Sequence, residues 1–152
     1  MNKKRYLREK VYRVAQKLGG LELWLIWPLP EGKTVLPEYL SLRLAGVVEG
    51  KRKATQATLP RSCIPELLSL EVQPEGISER LQLRFQGSAG ENSVWFLEIS
   101  YLGQAFFKPW EFRLYTAEGI EDLILSPPIR VQISTKTLKN LLSALRAHWM
   151  PT

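Results

Sequence analysis

The stretch WFLEISYLGQAFFKPWEFRLY, Trp95 to Tyr115, holds eight of the chain's fifteen aromatic side chains. Successive side chains of a strand point to opposite faces. Trp95, Leu97, Ile99 and Tyr101 therefore share one face of a first strand. Phe106, Trp110, Phe112 and Leu114 share one face of a second. The two apolar sets merge only if odd positions pair with even ones. A two-residue turn at Gly103-Gln104 does this, with glycine at the first central position of a type II′ turn. It sets Tyr101 opposite Phe106, Leu97 opposite Trp110, and Trp95 opposite Phe112. A three-residue loop would divide the apolar set between two faces. Most of these aromatics are thus expected in a core. The opposite face mixes Phe96, Phe107 and Tyr115 with Glu98, Glu111 and Arg113. Pro109 has no N–H to give a ladder, which points to an edge strand. Phe96, Phe107, Arg113 and Tyr115 are the candidate contacts for a protein partner.

The same alternation recurs elsewhere. In 39–48, Leu40, Leu42 and Leu44 face one way, Ser41 and Arg43 the other. Leu81, Leu83 and Phe85 repeat the pattern, as do Ile129, Val131 and Ile133. Residues 21–27 form an apolar strand stopped by the Pro/Gly cluster 28–32, and 54–59 read as a return strand after a turn at 49–53. Residues 60–68 read as a loop or one helical turn, and 68–72 as a short strand. No internal repeat is visible.

Two segments read as helices. Leu7, Val11, Val14, Ala15 and Leu18 form a stripe of helical spacing over about 3–18, and Gly19-Gly20 suit a helix end. Leu138, Leu141, Leu142, Leu145 and Trp149 make a second stripe over about 135–149, with Ser134 or Thr135 as its N-cap. The expected fold is one α+β domain over residues 1–152. A β body over about 21–133, an antiparallel β-sandwich or barrel, is flanked by an N-terminal and a C-terminal amphipathic helix.

Hydrophobic residues make up 45% of the chain and charged residues 24%, as in ordinary globular proteins. No apolar run reaches the ~20 residues of a membrane span. The N-terminus lacks the pattern of a signal peptide, so a cytoplasmic protein is expected. The formal net charge of +6 is unevenly placed. Residues 1–20 hold seven basic groups against Glu9, and the rest of the chain is balanced. Such asymmetry marks a nucleic-acid or anionic-membrane contact, or equally a solvated helix face. Lys3, Lys4, Arg5, Arg8 and Arg13, joined by Lys51, Arg52 and Lys53 if the fold brings them near, are the candidate anion contacts.

No motif carries recognisable chemistry. The lone histidine, His148, suits a helix C-terminus. The lone cysteine, Cys63, could be activated by Arg61 but reads better as a tolerated thiol. The carboxylates of 118–122 read as solvated, and 87–92 lack phosphate-loop spacing. No cofactor, metal or catalytic residue is expected.

Leu36-Pro37-x-x-Leu40-x-Leu42, Gly87-x-x-Gly90-Glu91 and Phe112 at the end of the aromatic hairpin resemble the C-terminal β domain of an uncharacterised cyanobacterial protein family. The resemblance covers about residues 17–114. The chain departs from it by lacking a large N-terminal region and by adding the last helix. It implies a cyanobacterial β-rich module and brings no activity with it.

The expected function is a non-enzymatic interaction module, an adaptor or accessory subunit whose partner is another protein. Nucleic-acid binding through the basic N-terminal segment is the alternative, and a membrane partner is not expected. The oligomeric state is not written in the sequence.

Overall fold

The computed structural model describes residues 5–71 and 80–149. Strands β1 (Tyr6–Gln16), β2 (Gly19–Pro28), β3 (Tyr39–Val48) and β4 (Lys51–Pro60) form a first sheet in sequence order, every pair antiparallel. A short helix, α1 (Ile64–Leu68), follows. Strands β5 (Arg80–Gly90), β6 (Ser93–Tyr101) and β7 (Trp110–Glu118) continue a second antiparallel sheet, with β8 (Ile124–Leu125) and β9 (Ile129–Ile133) end to end along the far edge of β7. Helix α2 (Thr135–Trp149) ends the described chain. The architecture is β-rich α+β: two open sheets and one substantial helix.

One cluster of buried side chains joins the inner faces of both sheets to α2. It takes Leu21, Leu23 and Leu25 from β2, Leu40, Leu42 and Leu44 from β3, and Leu97, Ile99 and Phe112 from β6 and β7. Leu138, Leu141, Leu142 and Leu145 close it from α2, as their spacing demands. The Thr137 N–H donates to Ser134 Oγ at 3.1 Å, so Ser134 caps the helix.

The N-terminal helix expected over about 3–18 is not there: Tyr6–Gln16 is a strand. The reason is a β-bulge. The register with β2 slips between Lys10 and Tyr12, so Leu7 meets Trp27 and Tyr12 meets Leu23. A bulge adds one residue and reverses the alternation. Apolar residues then fall at 7, 11, 12 and 14, which imitates a helical stripe. The β-branched Val11 and Val14 and the tyrosines favour the strand. Gly19-Gly20 do not end a helix; they open β2. A Cβ on Gly19 would lie 2.1 Å from the Ala45 carbonyl oxygen, and Gly20 holds φ +156°. Lys3 and Lys4 lie outside the described residues.

The aromatic hairpin merges its apolar faces as parity requires, but in a different register. Tyr101 pairs with Trp110, Ile99 with Phe112, and Leu97 with Leu114. Residues 102–109 form the loop, so the tight turn at Gly103-Gln104 is corrected, and Phe106 is 54% exposed rather than buried. Pro109 stands just before β7, where its missing N–H costs no ladder bond. β7 is consequently an interior strand, not an edge. Two smaller expectations also change. The turn at 49–53 contracts to Glu49-Gly50, both at positive φ as a type I′ turn requires. Ser69–Glu71 is a 3-10 turn rather than a strand.

Candidate functional site

The leucines at odd positions of β2 and even positions of β3 face the core, so the intervening residues form the outer face of the first sheet. The register arranges that face in rows across the strands. Arg8, Ile26, Tyr39 and Pro60 make one row, and Lys10, Trp24, Ser41 and Thr58 the next. Then come Arg13, Glu22, Arg43 and Gln56, and after them Ala15, Gly20, Ala45 and Ala54. Arg52 lies beyond, opposite Val47.

These rows divide the face into two halves. The first is aromatic. Tyr6 and Tyr39 meet edge to face at 5.9 Å. Ile26 lies on the same face, only 2% exposed. The Trp24 ring carries the Lys10 ammonium at 5.4 Å, and its Nε1–H donates to Glu22 at 3.1 Å. The buried Ser41 hydroxyl, on the same face, has no hydrogen-bond partner among the described residues.

The second half is cationic with a low floor. Ala15, Gly20, Ala45 and Ala54 raise no side chain beyond a methyl group. At one end an open groove of about 420 Å³ is lined by Arg13, Lys17, Arg52 and Lys53 over Gly19 and Ala45. Arg13 and Arg43 border a second depression beside it. Glu22 is the only carboxylate that the register places on this face among the described residues. Burial alone would raise its carboxyl. The Trp24 indole N–H, the Lys10 ammonium at 3.1 Å and the Arg43 charge together hold it below its ordinary value of 4.5. Arg13 reaches it at 4.0 Å. Neither Arg43 nor Arg52 forms an ion pair among the described residues.

The fold therefore brings Arg13 to the neighbouring pair Arg52 and Lys53, far from it in sequence, around one groove. Arg8 shares the outer face with Arg13 and Arg52, Lys53 lying out of phase with them opposite Gly46, and Arg5 is exposed just before β1. Lys51 opens β4 next to Gly50. Arg43, Lys10, Trp24, Tyr6 and Tyr39 belong to the same face and were not singled out from the sequence. The outward alternation of Arg43 against Leu42 and Leu44 was the signal for one of them. The bulge hid Lys10 and Tyr6.

On the second sheet the structure unites three of the four expected protein contacts. Phe96 and Tyr115 stack at 5.3 Å, and the Tyr115 hydroxyl donates to Glu98 at 3.2 Å. Glu98 also meets Arg84 at 3.5 Å and Arg113 at 3.8 Å, and the Arg84 guanidinium lies 4.5 Å from the Phe96 ring. These side chains engage one another, and all but the exposed Arg84 are half-buried. Phe107 stands apart, in the 102–109 loop, and is 89% exposed. Ile120, Leu123, Ile124 and Leu125 are a further exposed apolar group, around β8.

Burial, reinforced by the Glu66 charge, pushes the Cys63 thiol above its ordinary 9.0, opposite to what an arginine neighbour would do. His148 lies 6.0 Å from Trp27, ring to ring, and its Nδ1 is 3.0 Å from the Ala144 carbonyl oxygen, so an Nδ1–H tautomer donates there. Among the described residues no group of histidine, cysteine and carboxylate side chains could hold a metal ion. No helix among them is long and apolar enough to cross a membrane.

The chain matches no protein-family model and no curated protein.

Proposed function

We propose that this is a non-enzymatic binding module that takes nucleic acid on the outer face of its first sheet. One observation carries the reading. Cations from β1, β3 and β4 converge on a single face around a floor of small residues, with Glu22 as the only opposing carboxylate among the described residues. A polyanion laid there releases counterions at each cation it meets. The low floor lets a chain approach the sheet, and the surrounding arginines offer forked donors to phosphate oxygens. A cytoplasmic place goes with this reading.

The test is a titration of a labelled oligonucleotide by fluorescence anisotropy at several salt concentrations. Wild type should bind with log K falling steeply against log salt. Changing Arg13, Arg43 and Arg52 together to Gln should lower that slope by about 2 to 3 and leave the thermal midpoint nearly unchanged. Equal binding by both proteins would overturn the proposal.

A protein-adaptor reading stands second, and the exposed Phe107 and the apolar group around Ile124 favour it. It moves the expected contact away from Phe96, Arg113 and Tyr115, whose side chains are already engaged with Glu98, Arg84 and each other.

A further inference from the structure

We infer that the nucleic acid taken is single-stranded, with its phosphates on the cationic half of the first sheet and its bases against Trp24 and Tyr39. This rests on the nucleic-acid reading above and specifies its ligand.

Shape decides first. The outer strands of a four-stranded sheet lie about 14 Å apart before side chains are added. The duplex major groove is about 12 Å wide and admits a helix or a two-stranded ribbon. This face therefore cannot read a duplex from within a groove. It would touch only the phosphates along one side. Nor does it carry a projecting element over its cationic half, where the row of Ala15, Gly20, Ala45 and Ala54 raises nothing beyond a methyl group. A single strand has no such obstacle, because its bases turn freely toward whatever surface it lies on.

Chemistry decides next. A surface for duplex phosphates needs only cations. This one sets an aromatic half directly beside the cationic half. Trp24 is two residues along β2 from Glu22, and Glu22 sits in the row of Arg13 and Arg43. Those arginines project from β1 and β3, two strand spacings apart, or about 10 Å. A strand crossing β2 along that row would thus meet a guanidinium group on either side of Glu22 and carry its bases over the adjoining row, onto the indole. The Trp24 ring is already held by its bond to Glu22 and by the Lys10 ammonium. Little side-chain freedom remains to be lost when a base stacks on it. Every base has a π face, so such stacking tolerates sequence.

The measurement compares four labelled probes on the full chain at about 0.15 M salt. They are an oligothymidylate of about 16 nucleotides, its duplex with oligodeoxyadenylate, an abasic strand of the same length, and polyglutamate. The oligothymidylate should bind about tenfold tighter than each of the others. Trp24→Leu should lose about the same factor for oligothymidylate and nothing for the abasic strand, whereas Trp24→Phe should keep most of the affinity. If Trp24→Leu does not fold, the abasic strand still separates bases from phosphates without any substitution. Duplex or abasic strand bound as tightly as oligothymidylate would overturn the inference and leave the nucleic-acid reading standing. Polyglutamate bound as tightly would overturn it too, by showing a face that reads charge alone. No binding of any oligonucleotide, even at low salt, would overturn both.

Discussion

Glu22 shows how one side chain tunes a whole face. It offsets part of the charge of Lys10, Arg13 and Arg43, and it fixes the Trp24 ring. Glu22→Gln keeps an acceptor for the indole N–H and removes the charge. Polyanion affinity should rise several-fold, read by the same anisotropy titration. The variant also has a signature in acid. The Glu22 carboxyl is held below its ordinary 4.5, so the folded state prefers it ionised. Its contribution is present above that value and is lost as pH falls through the lowered folded value. Wild type should therefore lose stability below about pH 4.5 by more than Glu22→Gln does, by a margin within about 1 kcal/mol because the pair is partly exposed. Equal acid unfolding curves would refute this. Gly20 is the other decisive residue. A Cβ there would lie 2.3 Å from the Val14 carbonyl oxygen at a φ of +156°, so Gly20→Ala should cost more than about 1 kcal/mol in a denaturant titration.

Elements were legible in the sequence where the alternation ran unbroken. β3, β9 and the apolar faces of β6 and β7 follow it, and α2 follows its own period. β1 was illegible because its bulge changes phase halfway, and no local feature of residues 10–12 announces an extra residue. The 102–109 loop was missed for another reason. Parity fixes which faces merge, but every turn of even length satisfies it equally, so a two-residue turn and an eight-residue loop look alike. The two registers differ in a measurable way. With Phe106 in the loop and Phe112 fully buried, Phe106→Ala should change stability by no more than about 0.5 kcal/mol. Phe112→Ala should cost about 3–5 kcal/mol. A large loss at Phe106 would restore the tight turn.

At the scale of the molecule, the sequence disclosed the β-rich α+β class and the basic asymmetry. It did not disclose that the chain follows one plan twice. β1 to β4 then α1, and β5 to β9 then α2, are each an antiparallel sheet followed by a helix. The halves show no common residue pattern, because alternation alone builds both. Nor could it place Lys53 beside Arg13, since that depends on two hairpin tips meeting at one end of a sheet. The far-UV circular dichroism spectrum should be dominated by sheet with a minor helical component, and a helical spectrum would contradict the architecture. A last consequence comes from the way each sheet is made of strands adjacent in the chain. No described ladder bond of the first sheet reaches a residue beyond Pro60, and none of the second lies before Arg80. The two ladders share no hydrogen bond and are coupled only through their common core, so native-state amide exchange by openings short of global unfolding should sort into two blocks. The first block, Tyr6 to Pro60, carries the binding face, and an oligonucleotide should slow exchange there before it slows exchange between β5 and β7.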